Sequence, residues 1–285
     1  MTRSTTWGIA AAAAALALTL SACGGGATPG TTTTAGGDAA PSGPIRIGIK
    51  YDQPGLGLQE GTSFTGFDVE VAKYVAGELG YPEDQIEFIQ SPSPQRETML
   101  EGGQVDLIFA TYSITDARKE RVSFAGPYFI AGQDLLVRAD DDSITGPDSL
   151  AGKRLCSVGG STPAQRVKEE HPDVELVEYD TYSLCVSALD SGAVDALTTD
   201  NVILAGYAAQ AQWEGKFKVV GAPFSTERYG VGLPKGETER CQAVNAAIEK
   251  MIADGDWQTA LDDTVGKSGF VPDDRNPPEV DEDCA

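Results

Sequence analysis

Histidine is nearly absent from this chain, and that absence narrows the chemistry open to it. One histidine, His171, stands among 285 residues, between Glu170 and Pro172, where the proline ends a helix and leaves the ring at the surface. No nucleophile–base pair and no cluster with metal-ligand spacing can be assembled from the motifs, so the sequence calls for neither metal nor cofactor. Basic side chains are scarce too. The 21 Lys and Arg residues face 43 Asp and Glu, for a net charge of −22. That balance argues against nucleic acid and against docking on anionic lipid, and it solubilises the surface. Phosphate loops are missing as well. Gly55-Leu56-Gly57-Leu58 lacks a third glycine because Glu60 stands in its place, and Gly266-Lys267-Ser268 lacks the glycine five residues earlier. Hydrophobic residues make up 41% of the chain, enough for one large or two ordinary cores.

What is present begins with an internal echo. Leu100-Glu101-Gly102-Gly103-Gln104-Val105-Asp106-Leu107-Ile108 returns 89 residues later as Leu189-Asp190-Ser191-Gly192-Ala193-Val194-Asp195-Ala196-Leu197. Each copy reads as a helix end, a glycine turn and a buried strand beginning Val-Asp. Five residues beyond each aspartate stands a polar residue, Thr111 in one copy and Asp200 in the other. Open α/β sheets bind ligands beyond the carboxyl ends of their strands. Two such units therefore predict two lobes facing each other across a cleft.

Alternation marks residues 45–50 and 86–89 as strands. Between them Asp68 is placed to cap a helix through Val71, Ala72, Val75 and Leu79. Ser93-Pro94 starts a helix running to Gly102. Arg96 lies in its first turn, where a cation opposes the helix dipole; this points to a functional arginine, with a solvated one as the alternative. Residues 134–138 form the strand that crosses into the second lobe. There strands at 154–158, 174–177 and 194–199 alternate with helices at 164–170 and 182–190. Residues 229–233 return the chain, and helices at 237–253 and 256–263 close it. The expected division is lobe 1 at 44–134 plus 229–271, lobe 2 at 135–228, and an acidic tail at 272–285.

The two ends of the chain carry separate signals. Arg3, an apolar run from Trp7 to Leu20, and Leu20-Ser21-Ala22-Cys23 read as an export signal over residues 1–22, the run being short for a membrane span. Leu-Ser-Ala-Cys resembles the bacterial lipobox, which makes Cys23 a lipidation site; an ordinary cleaved signal with an incidental cysteine is the alternative. Residues 23–43, rich in Gly, Thr, Ala and Pro, read as a flexible tether. Four further cysteines in an exported chain favour two disulfides out of three pairings. Cys156–Cys185 and Cys241–Cys284 each stay within one expected lobe, and the second ties down the tail.

If the lobes face each other, Thr111, Ser113 and Arg118 converge on the Gly160–Thr162 turn and Asp200. An arginine beside free N–H groups at a helix start suits an α-carboxylate. An aspartate with nearby hydroxyl and carbonyl acceptors suits an α-ammonium. The set is an amino-acid clamp, suited to holding and releasing rather than to bond breaking.

Gly66-Phe67-Asp68-Val69-Glu70-Val71-Ala72, Ser113-Ile114-Thr115-Asp116-Ala117-Arg118-Lys119, Phe124-Ala125-Gly126-Pro127-Tyr128, Gly160-Ser161-Thr162 and Val194-Asp195-Ala196 together resemble the family 3 solute-binding proteins, receptors of ABC importers for polar amino acids. The resemblance spans about residues 45–271. It implies an α/β chain with the type II periplasmic-binding-protein fold, two α/β lobes joined by two hinge strands with the ligand in the cleft. It further implies that Arg118 grips the α-carboxylate with the N–H groups of Ser113 and Thr162, and that Asp200 and Thr111 receive the α-ammonium. Many members place aromatic rings over the ligand where this chain has Pro54 and Ser93. Lys50 and Arg96, with Ser93 alongside, stand where glutamate- and aspartate-binding members carry cations; Tyr182 holds the position in the second lobe equivalent to Ser93, as a further ligand contact or, alternatively, a packed helix tyrosine. The chain looks like the glutamate-binding lipoproteins of actinobacterial importers.

The resulting expectation is a monomeric, lipid-anchored receptor on the extracytoplasmic face of the cell membrane that takes L-glutamate, or aspartate, to ABC permease subunits. It is expected not to be an enzyme. An exported enzyme of the same fold, such as a dehydratase, and a ligand sensor for a signalling partner are the alternatives.

Overall fold

The computed structural model describes residues 43–284. The expected export segment, Cys23 and all but the last residue of the tether lie outside the described residues. The chain opens with β1 (Ile45–Ile49), a small meander of β2 (Asp52–Gln53), β3 (Gly57–Glu60) and β4 (Ser63–Thr65), and α1 (Phe67–Glu78). Next come β5 (Ile86–Gln90), α2 (Arg96–Glu101), β6 (Leu107–Ile108), α3 (Asp116–Lys119) and the long β7 (Val122–Ala131). Beyond Gly132 the chain builds β8 (Gln133–Arg138), β9 (Arg154–Val158), α4 (Thr162–Glu170), β10 (Glu175–Tyr179), α5 (Tyr182–Asp190), β11 (Ala196–Asp200), α6 (Asn201–Ala208) and β12 (Phe217–Val219). It ends with β13 (Glu227–Pro234), α7 (Thr238–Asp254), α8 (Asp256–Asp263) and a tail without regular structure.

Two five-stranded sheets result, in the orders β5-β1-β6-β13-β7 and β10-β9-β11-β8-β12. In each, three strands run parallel and an antiparallel strand joins beside the third. The chain passes from the first sheet to the second at Gly132 and returns through residues 220–226. These are the two lobes and the crossings between them.

The internal echo turns out to be a matched pair of clamps. Gln104 N donates to Met99 O at 2.8 Å and Ala193 N to Ala188 O at 2.9 Å, closing the same left-handed helix end at Gly103 and Gly192. The Asp106 carboxylate then accepts from the N–H of Arg46 and pairs with its guanidinium at 2.8 Å. Asp195 does the same for Arg154, at 2.9 Å to the N–H and 3.0 Å to the guanidinium. Each Val-Asp aspartate thus pins the start of its strand to the first parallel strand of its own lobe.

The structure departs from the sequence reading in specific places. Asp68 does not cap α1; it is the second residue of the helix and fully buried. Ser93 does not cap α2 either, because a short 3₁₀ turn over Ser93–Gln95 precedes the helix. The ten residues of β7 are all buried, which removes the alternation that reveals a half-exposed strand. Both expected disulfides, Cys156–Cys185 and Cys241–Cys284, are formed. The second fastens the tail to α7, and the N–H groups of Asp281 and Glu282 donate to Gly126 O at 3.1 and 3.0 Å. Beneath the crossings, Phe67, Phe129 and Trp257 interlock edge-on and stacked, and Trp257 donates its indole N–H to Tyr128 O at 2.8 Å.

Candidate functional site

Where the two lobes meet, Ser93, Arg96, Thr111, Arg118, Thr162, Tyr182 and Asp200 line one cavity, together with Ser161, Pro163, Thr199 and Ile203. The cavity holds about 250 Å³ of empty space. The lobes are therefore drawn close together. Ser113 does not line the cavity, but its hydroxyl lies 3.3 Å from that of Thr162 in the other lobe. Lys50 is also set back from the wall. Its ammonium is buried beside the Tyr182 ring, 5.8 Å from the centroid, and 3.7 Å from Asp52 Oδ1.

Lobe 1 supplies the cations. Arg118 leaves α3 with Nη1 on Ser113 O at 2.7 Å, Nη2 near Gly160 O at 3.4 Å, and Nε 3.3 Å from Glu97 Oε1. Arg96 comes from the first turn of α2 and is 3% exposed. It makes no ion pair among the described residues, and its buried Nε has no hydrogen-bond partner. The guanidinium carbons of Arg96 and Arg118 lie 5.0 and 4.8 Å from the centre of the Tyr112 ring, whose hydroxyl donates to Glu97 Oε1 at 2.8 Å. One tyrosine face-contact and one glutamate thus hold two like charges together. Burial and the neighbouring Arg118 both push the Arg96 guanidinium downward in pKa. Burial pulls the Lys50 ammonium down to about 8, opposed by Asp52 and aided by Arg96.

Lobe 2 supplies the anion. Asp200 ends β11, is 2% exposed, and accepts from the Tyr229 hydroxyl at 2.5 Å through Oδ2. Its Oδ1 and the Thr199 hydroxyl are buried without a partner. Burial pushes the Asp200 carboxyl up to about 8, and Glu227 adds to the rise. Glu227 stands on the returning strand β13, where it accepts from Thr162 Oγ1 at 3.1 Å and pairs with Arg166 at 3.1 Å. Ser161 caps α4 by accepting from the N–H of Ala164 at 3.2 Å. Tyr182 closes the wall, its hydroxyl pushed up to about 12 by burial and then by Asp200.

Thr111 is held in a strained conformation. Its φ of +46° lies in the left-handed region, unusual for a β-branched residue. The Asp68 carboxylate fixes it, accepting from the Thr111 N–H at 2.9 Å and from the Tyr128 hydroxyl at 2.8 Å. Burial raises Asp68 to about 6, with those hydrogen bonds working against the rise. Sequence reasoning did not single out Tyr112, Glu97, Asp68 or Glu227 for the site. Tyr112 sits inside the Thr111–Ser113 motif and Glu97 next to Arg96, which is the signal available for them; Glu227 has none.

This geometry can be set beside known proteins. The model of the bacterial extracellular solute-binding proteins, family 3, matches residues 45–267. The glutamate-binding protein GluB of Corynebacterium glutamicum is 50% identical over 258 residues, covering 85% of this chain and 87% of that protein. The ABC transporter glutamine-binding protein GlnH of Bacillus subtilis is 36% identical over 213 residues, covering 74% of this chain and 77% of that protein. Among solved structures, an ancestral arginine-binding protein bound to arginine matches with a TM-score of 0.73 at 34% identity, over 78% of this chain and 98% of that one. A two-lobed fold, a polar cavity between the lobes and a family model running from the start of β1 to just beyond α8 agree: the chain belongs to the bacterial extracellular solute-binding proteins, family 3.

Proposed function

We propose that this chain captures L-glutamate outside the cytoplasmic membrane, anchored there through Cys23, and hands it to an ABC permease. The observation that carries the choice of ligand is Arg96, a buried cation that forms no ion pair among the described residues and whose Nε has no hydrogen-bond partner. Arg118 is offset by Glu97 and Lys50 by Asp52. With Asp200 holding its proton below about pH 8 in the ligand-free protein, the charge left over in the cavity is positive. A side-chain carboxylate compensates Arg96, whereas glutamine leaves it unpaired at a cost of roughly 2–5 kcal/mol. Arg118 then serves the α-carboxylate, and Asp200 with its free Oδ1 serves the α-ammonium. The net charge of −22 does not forbid an anionic ligand, because screening acts over ~8 Å at physiological salt. Similarity to a protein named for glutamate binding supports the same choice, and the similar proteins named above are binding proteins, not enzymes.

A panel of amino acids tested by thermal shift is expected to show the largest stabilisation with glutamate and a smaller one with aspartate. A larger shift with glutamine or arginine would sink the proposal.

Binding is also expected to expel a proton. Below pH 8 the Asp200 carboxyl of the ligand-free protein is mainly protonated, and an α-ammonium against it favours the ionised form. Affinity should rise from pH 6 to 8, by at most about tenfold per unit. Above about pH 8 it should fall as Lys50 loses its charge. Calorimetry at pH 7 in two buffers of different ionisation enthalpy reads the released proton directly, and a buffer-independent heat contradicts this account.

A further inference from the structure

Asp52 reaches across the cleft without lining the cavity. It lies on β2 of lobe 1. Its Oδ2 accepts from the N–H and hydroxyl of Ser183, both at 3.3 Å, and from the Tyr207 hydroxyl at 3.0 Å. Ser183 sits in the first turn of α5 and Tyr207 on α6, both in lobe 2. The Tyr207 hydroxyl also reaches the main-chain carbonyl of Asp52. The remaining oxygen, Oδ1, faces Lys50 and has no hydrogen-bond partner. Close approach of the main chains marks the same seam. A Cβ on Gly206 of α6 would lie 2.2 Å from Pro54 O, and one on Gly160 would lie 2.9 Å from Pro94 Cα.

We propose that Asp52 is a positioning residue that latches the two lobes together, receiving the α5 N-terminus and Tyr207, and so sets affinity for an amino acid it does not touch. The carboxylate offers charge to a helix N-terminus, where free N–H groups and the helix dipole favour it. Hydrogen bonds to a charged group are the strong kind. Apparent affinity scales with the fraction of molecules in the closed form, so a latch that contains no ligand contact still multiplies every binding constant. The hydrogen bonds to Ser183 and Tyr207 act on closure and are blind to the ligand's side chain; the pairing with Lys50 is a separate electrostatic role of the same carboxylate. The Lys50–Asp52 pair ties this latch to the cation nearest Tyr182.

The role in affinity rests on the cavity being the ligand site; the closure does not, and the two are measured separately. The whole chain carries one dye on each lobe, and single-molecule energy transfer reads the distance between them without ligand. Calorimetry then gives Kd for glutamate and for glutamine. Asp52→Ala is expected to move the ligand-free population to longer distances and to weaken both ligands, roughly 10- to 100-fold for glutamine and less for glutamate, which the uncovered Lys50 favours. Tyr207→Phe keeps the buried ring and the Lys50–Asp52 pair, removes only the hydroxyl, and should weaken both ligands by one and the same, smaller factor. Unchanged distances in both variants overturn the latch. Lengthened distances with unchanged affinities overturn its role in binding, and a loss confined to glutamate overturns it in favour of Asp52 serving only Lys50. Failure of the unsubstituted protein to bind either amino acid counts against the cavity and leaves the distance measurement to decide the latch.

Discussion

Asp200→Asn is expected to make the ligand-free protein more stable while abolishing its response to amino acids. The sign follows from the raised pKa. Unfolded, the carboxyl ionises near its ordinary 3.8; folded, it holds its proton up to about 8. The stability contributed by the protonated form is fully present below pH 3.8 and is lost as pH rises toward 8. At pH 8 that loss is worth roughly 2–5 kcal/mol. Asparagine is neutral at every pH, and its carbonyl still accepts from Tyr229. Its melting temperature at pH 8 should rise by something on the order of 5–10 °C, and the gap should close toward pH 4. Without a carboxylate the α-ammonium has no counter-charge, so no amino acid should shift the melting curve. A variant less stable than the parent at pH 8 would falsify the burial argument; one that still binds glutamate would remove Asp200 from the site.

Arg118→Ala and Arg96→Ala should fail in different ways. Arg118 ties Ser113 O to the Gly160 turn across the lobes and faces the cavity. Its removal should cost every amino acid at least 100-fold in Kd, glutamate and glutamine alike. Arg118→Lys should recover little, since an ammonium cannot offer the two-pronged contact of a guanidinium. Arg96 forms no ion pair among the described residues, and Glu97 keeps Arg118 as its partner when Arg96 is lost. Replacing it with alanine relieves the positive charge beside Arg118 and removes the partner of the ligand's side-chain carboxylate. Preference for glutamate over glutamine should collapse, a change of roughly 2–4 kcal/mol in their difference, while glutamine binding holds or improves. Calorimetry on both ligands with both variants separates the two arginines. Unaltered selectivity in Arg96→Ala would leave the ligand's side chain without an assigned partner.

Much of the scaffold was legible because each lobe repeats one local pattern. Strand β9 and helices α5 and α8 have the bounds that periodicity and capping imply, and the disulfides are the expected pairing, one within lobe 2 and one tying the tail to lobe 1. Arg96 stood out because a cation in a first helical turn is locally unfavourable. Other features depend on contacts between distant segments and leave no local trace. Asp68 looked like a helix cap because acidic residues favour first turns; burial under Thr111 and Tyr128 gives it a different task. Glu97 and Tyr112 are ordinary residues until α2 and α3 meet. Glu227 and Asp52 meet partners 61 or more residues away in the sequence, which no local pattern announces. Periodicity reports which face of an element is buried, not against what.

The Cys156–Cys185 bridge joins the strand that feeds the Gly160–Thr162 turn to the helix that begins at Tyr182. The turn starts four residues beyond one cysteine, and Tyr182 lies one helical turn before the other. Lobe 2 therefore meets its neighbour with two prongs on a single covalent brace, like the tines of a fork. Neither the cavity wall at Thr162 nor the Ser183 contact with Asp52 can advance or retreat alone.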